Sequence, residues 1–493
     1  MSRPLLVASI TEPPSPDGEE IRRLAGGADW LEVRADLVGD LDPDWLRTRF
    51  AGELLYTLRS RGEGGAYGAS RERRRLRLLE ASARYDRVDL EGDRDLVPEI
   101  LAQVAPPRRV VSWHGPAGDA PALRSRLEHF SKTPAAHYKL VPRAASSGEE
   151  MAALALLRSG GRDDLTVFGA GESAAWTRIV APHLGSRLLF ASLGDQPAAP
   201  GQFSVARLAA DWGLPEVRQI SVLFGVVGHP ALGSLSPRLH NAAYRALDLT
   251  ALYVPFEVES FGDFWLEVVE ADLLTQLGVP LRGLSVTAPH KDLAQAVAGA
   301  TSPIANRLQA VNTLVFRRGV WEGESTDAQG VVNALRARSV ELRGRRAAVV
   351  GCGGAGRAAA LGLALAGAQV AIVNRGAERG LAAARALGLP FVALSDLDPS
   401  RFDLFVHATP LGSAPADELP LPVARLPREA VVADLVYGER PTRLVEEAAR
   451  RGLVAVDGRE VLLYQAAPQF RLMTGYELPL EIGRRVLGLA EGD

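Results

Sequence analysis

One cysteine, Cys352, stands among 493 residues. It cannot close an internal disulfide, so the chain is no disulfide scaffold and is compatible with a reducing compartment. No apolar run reaches the roughly 18 residues needed to cross a bilayer. The opening stretch, MSRPLLVASITEPP, lacks the longer apolar core of a secretory signal. A cytoplasmic location without a membrane partner is therefore expected. Neither sign of charge dominates: 56 basic against 59 acidic residues leave a net charge of −3. Nothing there points to nucleic acid or an anionic surface. What is present is ordinary globular material, 47% hydrophobic and 23% charged, which excludes a disordered or fibrous chain. At about 150 residues per domain the length suggests three domains, or two if one is a barrel.

Eight short apolar runs mark the first half: LLVASI (5–10), WLEVRADL (30–37), LLYTLRS (54–60), RVDLEG (87–92), RRVVSWHG (108–115), HYKLVP (137–142), LTVFGAG (165–171) and RLLFASLG (187–194). Helix-like stretches such as 70–85 and 148–159 lie between them. Eight strand–helix repeats in about 215 residues match the size of a (β/α)8 barrel. A doubly wound open sheet is the alternative, but no glycine-rich turn follows the first strand. Glu32 and Arg34 are two apart and share a strand face. Arg59, His114 and Lys139 sit near the C-terminal ends of their runs, where barrels of this type build their active sites. A desolvated lysine beside cations has a lowered pKa and becomes a nucleophile toward ketones. His114 is suited to moving protons near neutral pH. The arginines imply an anionic, polyhydroxylated substrate. Asp89 and Glu91 read as structural.

A boundary is expected near DWGLPEVRQI (211–220), and a new pattern starts at VLFGVVG (222–228). Further on, RRAAVVGCGGAGRAAALGLALAGAQVAIVNR carries Gly351, Gly353, Gly354, Ala355 and Gly356 between a strand and a helix, with a second strand after it. Such glycines let backbone N–H groups approach a pyrophosphate at the helix N-terminus. NAD sites usually place a carboxylate at the end of the second strand; here stand Asn374 and Arg375, with Arg379 a turn later. Guanidiniums pair with a 2′-phosphate, so NADP(H) is the expected cofactor. Cys352 reads as a small filler of the turn. Candidates for a proton relay and substrate clamp lie in GSLSPRLHN (233–241), GLSVTAPHK (283–291), AVNTL (310–314) and ESTDAQG (324–330).

WLEVRADL, YTLRSRGEGG, VVSWHG, HYKLVP and AAPGQFS resemble the type I 3-dehydroquinate dehydratases over residues 1–215. That resemblance implies a (β/α)8 barrel in which Lys139 forms a Schiff base with 3-dehydroquinate. It makes His114 the general acid/base, Glu63 its carboxylate partner, and Glu32, Arg34, Arg59, Arg178 and Gln202 substrate-binding residues. Two departures occur: Trp176-Thr177-Arg178 replaces the usual Ser-Arg, and Ala198 replaces a serine four residues before Gln202.

From about 222 to 490 the segments quoted above resemble shikimate dehydrogenases. That resemblance implies an α/β substrate domain (222–325, joined by 458–493) and a Rossmann domain (326–457). Lys291 and Asp327 become the catalytic pair. Ser234, Ser236, Thr287, Asn312 and Gln465 become substrate contacts. Thr409, in the segment His407 to Gly412, and Tyr437 lie on the nicotinamide path, and Asp434 fits the same pattern. Ser285 and Ser325 stand where asparagines are usual. The Ser-x-Ser at Ser234 and Ser236 favours shikimate over quinate. The implied function is bifunctional: dehydration of 3-dehydroquinate to 3-dehydroshikimate, then reduction to shikimate with NADPH. No metal is expected, and the partners are these small molecules. The rival readings are an active dehydrogenase with the barrel as a scaffold, and a dehydrogenase that prefers quinate.

Overall fold

The computed structural model describes residues 3–116, 118–412 and 417–489. The chain divides into two compact units, one of residues 1–223 with 250–281, the other of 224–249 with 282–493.

The first unit holds eight parallel strands: β1 (Leu5–Ile10), β2 (Trp30–Arg34), β3 (Glu53–Thr57), β4 (Arg87–Glu91), β5 (Arg109–Pro116), β6 (His137–Arg143), β7 (Leu165–Val167) and β8 (Leu188–Ser192). Their order is β7-β6-β5-β4-β3-β2-β1-β8. The β7–β8 seam is bridged by Arg187 N–H donating to the Leu165 carbonyl and Leu188 N–H to the Thr166 hydroxyl. The expected barrel is therefore nearly closed. Its helices begin where the sequence supplies caps. Ser70 accepts from Arg73 N–H at the head of Arg71–Arg84, and Ser146 from Glu149 N–H at the head of Ser147–Gly160.

Strand residues alternate in a telling way. One set (Ile10, Leu31, Val33, Leu54, Val88, Leu90) packs with Leu78 and Ile100 in an apolar cluster. The residues between them are polar yet equally buried: Ser9, Glu32, Thr57, Asp89, Glu91, Ser112, Lys139, Thr166 and Ser192. Barrels of this class usually fill their interior with branched apolar side chains. A polar lumen costs desolvation and persists only where its groups pair with one another or with a ligand. Two strand readings need correction. Lys139 is the third residue of β6, not an end residue, so its amine rises from within the barrel. β7 stops at Val167, because Thr177 takes the Gly169 N–H that would extend the ladder.

The segment Thr250–Leu281, with β10 (Ala251–Glu257), belongs to this first unit. Phe256 packs on Trp176, and Trp212 Nε1 donates to the Tyr253 carbonyl.

The second unit contains β9 (Val222–Gly228, from Phe224), β11 (Leu281–Val286, from Arg282), β12 (Ala300–Thr301), β13 (Thr313–Arg317) and β14 (Val320–Glu324). Its strands run β9-β11-β13-β14-β12, with β13 antiparallel to both β11 and β14. The third sheet is β15 (Arg346–Val350), β16 (Gln369–Asn374), β17 (Phe391–Ala393), β18 (Leu404–His407), β19 (Val431–Asp434) and β20 (Val454–Val456). Its order, β17-β16-β15-β18-β19-β20, is that of a Rossmann domain, and every pair is parallel. Helix Asp327–Ala337 packs between helices Gly354–Leu365 and Gly458–Thr474. Two glycines permit this approach. A Cβ on Gly362 would lie 2.5 Å from the Ala328 carbonyl oxygen, and one on Gly330 2.7 Å from the Gln465 Cβ.

Candidate active sites

The polar lumen opens into a cavity of about 440 Å³ lined by Glu32, Arg34, Arg59, Glu63, His114, Lys139, Arg178 and Gln202. All eight barrel residues singled out from the sequence thus converge. Their pairing is uneven. Glu32 accepts from the Ser9 and Thr57 hydroxyls. Arg34 is gripped at both ends by Asp36, at 2.9 and 2.8 Å. Arg59 donates to Asp89 at 2.8 Å and to Glu63 at 3.2 Å, with Glu91 and Ser112 beside it. These carboxylates hold the guanidinium protonated against the cost of burial. Asp89 and Glu91 are structural in this sense: they fix Arg59.

Arg178 differs. Its guanidinium is buried over the Phe168 ring, 4.3 Å from the centroid, and makes no ion pair among the described residues. Burial alone pulls its pKa down to about 10. Such a cation awaits an anion. Lys139 likewise has no carboxylate within ion-pair distance among the described residues, and its amine lies 3.9 Å from the centre of the Phe190 ring. Burial lowers its pKa to about 8, opposed by the charges of Glu32 and Asp89.

His114 Nδ1 lies 3.0 Å from Glu63 Oε2, which also accepts the His114 backbone N–H. Burial drives the imidazole pKa well below its usual value and lifts the Glu63 carboxyl to about 8. Carboxylic acid with imidazole, or carboxylate with imidazolium, holds the same one transferable proton. The Ala198 departure is met by backbone: its carbonyl accepts from Arg34 and its N–H donates to Gln202. Thr177 makes the hydroxyl contacts of its own turn, donating to the Ala174 carbonyl.

In the second unit Lys291 Nζ donates to Asp327 Oδ2 at 2.5 Å. Asn312 Nδ2 donates to the other Asp327 oxygen at 2.6 Å, and Asn312 Oδ1 accepts from Thr326 N–H. Asp327 opens helix Asp327–Ala337, where the helix dipole favours a negative charge. Ser234 accepts from Ser236 N–H, and the Tyr437 hydroxyl bonds Ser234. Desolvation raises the Tyr437 pKa, and the nearby Asp327 charge adds to it. Tyr437 thus lies against Ser234 and near Asp327. Thr287 follows β11 directly, its methyl against Gly228; Gln465 packs on Gly330, one helical turn past Asp327.

Sequence reasoning missed Gln469, which is buried and ties Ser285 to Thr313 and to the Asn312 carbonyl. Its spacing of four from Gln465 on one helix was the available signal. Asp36, Phe168, Phe190 and the cavity-lining Arg143 were missed as well.

The nucleotide turn fits a dinucleotide. Gly351 has φ 111°, and a Cβ there would lie 2.7 Å from the Ala408 carbonyl oxygen; Gly353 faces open space. Gly354 starts a twelve-residue helix, with Ala355 in its first turn, and Gly356 sits against the Gly351 carbonyl. Asn374 folds back onto the Gly376 carbonyl, leaving Arg375 and Arg379 exposed and without an ion pair among the described residues. Thr409 is held by His407, whose other ring nitrogen meets Asp434 at 2.8 Å. Cys352 is buried in the Rossmann core.

Fold and sites define a (β/α)8 enzyme with a polar lumen, joined to a dinucleotide-dependent dehydrogenase. Residues 9–211 match the model of type I 3-dehydroquinase, and residues 226–314 that of the shikimate dehydrogenase substrate binding domain. Residues 346–425 match an FAD binding domain, which shares the glycine turn for a dinucleotide pyrophosphate. A Halobacterium salinarum shikimate dehydrogenase (NADP(+)) is 40% identical over 54% of this chain and 98% of its own length. The chain belongs to the shikimate dehydrogenase family, carried behind a type I 3-dehydroquinase barrel. The Arabidopsis thaliana chloroplastic bifunctional 3-dehydroquinate dehydratase/shikimate dehydrogenase is 29% identical, covering 92% of this chain and 79% of that one. A shikimate dehydrogenase solved in complex with NADP+ superposes with a TM-score of 0.51 at 29% identity, over 55% of this chain and 96% of the other. No helix among the described residues is long and apolar enough to cross a membrane.

Proposed function

We propose that the barrel dehydrates 3-dehydroquinate through an imine on Lys139 and that the second unit reduces the product, 3-dehydroshikimate, to shikimate with NADP(H). The observation that supports the reading is the convergence on one barrel cavity of a His–Glu proton pair with a lysine and an arginine that have no ion pair among the described residues.

Arg178 takes the substrate carboxylate. The neutral Lys139 amine adds to the ketone and water leaves, giving an imine that draws electrons from the adjacent carbon. The His114–Glu63 pair removes a proton from that carbon. The β-hydroxyl departs as water with a proton returned by His114. Hydrolysis of the imine frees 3-dehydroshikimate and restores the amine. Arg34, Arg59 and Glu32, each held by its own protein partners, present fixed donors and acceptors to the hydroxyls, while Gln202 and the Ala198 backbone close the mouth.

In the second unit the Gly351–Gly356 turn holds the pyrophosphate and Arg375 with Arg379 the 2′-phosphate. Bound there, NADPH supplies hydride for carbonyl reduction. Lys291 donates a proton to the carbonyl oxygen as negative charge grows on it, and Asp327, fixed by Asn312, keeps that ammonium aimed. Ser234, Ser236, Thr287, Asn312 and Gln465 hold the carboxylate and hydroxyls.

A coupled assay tests both halves. 3-Dehydroquinate with NADPH is expected to yield shikimate and stoichiometric NADPH oxidation. Oxidation with 3-dehydroshikimate but not with 3-dehydroquinate would leave the barrel a scaffold. Faster turnover with quinate than with shikimate in the reverse direction would reassign the dehydrogenase.

A further inference from the structure

Arg178 projects from Ala175–Val180, a helix of six residues. A helix that short has little stability of its own, so tertiary contacts must place it. Arg34 and Arg59 are aimed by carboxylates, but among the described residues Arg178 has none. Its backbone must do the aiming.

The anchor lies two residues back. Trp176 is 1% exposed, and its Nε1 donates to Glu150 Oε2 at 2.7 Å. Two helical residues turn by roughly 200°, so fixing the indole on one side directs the guanidinium to the other. The ring is backed by Phe256, 5.3 Å away between centroids. Glu150 stands in the first turn of helix Ser147–Gly160 and is 5% exposed. Its carboxyl also receives the hydroxyl of Ser173, which lines the cavity. No cation pairs with it among the described residues, and the neighbouring charge is another carboxylate, Glu267. A buried carboxylate held only by neutral donors is a poor stabiliser. What it does achieve is to tie both ends of the turn that presents Arg178.

We propose that Glu150 is a positioning residue for the dehydratase, holding Trp176 and Ser173 so that Arg178 faces the substrate carboxylate. The proposal rests on the reading of Arg178 as the carboxylate ligand. An arginine that grips the carboxylate in ground and transition states alike contributes uniform binding, whose loss appears in KM. In the full-length protein, Glu150→Ala is expected to raise KM for 3-dehydroquinate about tenfold with kcat within about twofold. Glu150→Gln keeps an acceptor for the indole and is expected to restore KM to within about threefold of the parent. Reduction of 3-dehydroshikimate is expected to be unchanged. In an Arg178→Ala background, Glu150→Ala is expected to add nothing, because it acts through Arg178. Should Glu150→Ala lose its folded state by circular dichroism, Trp176→Phe removes the same bond and carries the same test. A parental KM in either folded variant, or an equal rise in the Arg178→Ala background, overturns the positioning role. A parental KM in Arg178→Ala itself overturns the carboxylate assignment beneath it.

Discussion

Two of the chain's three lysines, Lys139 and Lys291, are treated in opposite ways. Lys139 is surrounded by buried side chains, and the described residues give it no carboxylate within ion-pair distance; an aromatic face lies under its amine instead. Lys291 is bonded to Asp327 at 2.5 Å, and Asp327 is in turn held by Asn312. In the proposed reactions one amine must shed its proton to attack a carbonyl, and the other must keep a proton ready to give. The difference in surroundings is a single carboxylate at bonding distance; burial disfavours the Lys139 charge, and a close counter-ion would oppose that effect. The arginines around Lys139 show the converse. Arg34 and Arg59 are fixed by Asp36, Asp89 and Glu63, so the same lumen supplies ample carboxylates and keeps them from the nucleophile.

Removing each lysine separates the two sites most sharply. Lys139→Ala is expected to cut dehydration by about four orders of magnitude or more, as loss of a covalent nucleophile does. Reduction of 3-dehydroshikimate should stay at the parental rate. Borohydride with 3-dehydroquinate should add the ligand mass to Lys139 alone. An adduct elsewhere, seen by peptide mass mapping, would move the nucleophile.

Lys291→Ala and Asp327→Asn are expected to lower reduction by about 10²–10⁴-fold each, the range of a lost proton donor. The double variant should be little worse than the worse single one, because the pair acts as a unit. Additive losses in steady-state assays, or near-parental turnover in either single variant, would make the pair a surface salt bridge.

The barrel was legible because its pattern is local: eight runs, helices between them and charged residues on the runs. The Rossmann turn was legible for the same reason. What escaped depends on pairing across strands. Asp89 and Glu91 show that polar strand residues can be structural, but their guest, Arg59, follows a different strand. That the Lys139 amine rises from mid-strand could not be seen from HYKLV, since β6 runs on to Arg143. Gln469 becomes meaningful only when its helix returns to β13. The grouping of Thr250–Leu281 with the barrel has no local signature at all, because it arises from contacts such as Phe256 on Trp176.

Proton occupancy gives a milder way to divide the sites. The Lys139 pKa, lowered to about 8 by burial, means that the neutral amine grows as pH rises through that value. Between pH 6 and 8 the neutral fraction climbs about fiftyfold, so kcat/KM for 3-dehydroquinate should rise with a slope near one and flatten above about 8. A flat profile over that range would show the amine already deprotonated, and a break near the ordinary lysine value would show that burial does not govern it.

The arginines proposed to meet the substrate carboxylate and the 2′-phosphate offer the finest contrast. Arg178 is buried, where a lost contact has no water to replace it; Arg375 and Arg379 are exposed, where water competes. A hydrogen bond to a charged group contributes about 1.5–3 kcal/mol, and exposure places Arg375 at the lower end, near tenfold in affinity. Arg375→Gln should therefore weaken NADPH binding about tenfold in a fluorescence titration while NADH binding changes little, because NADH lacks the 2′-phosphate. Added salt should narrow the gap, since exposed charge pairs are screened. The loss should be additive with any change at Lys291, whose proposed partner is the carbonyl rather than the adenosine ribose. Equal weakening of NADPH and NADH would mean that Arg375 supports the loop after β16 rather than reading the phosphate, and Arg379, one turn on, would then be the residue to substitute.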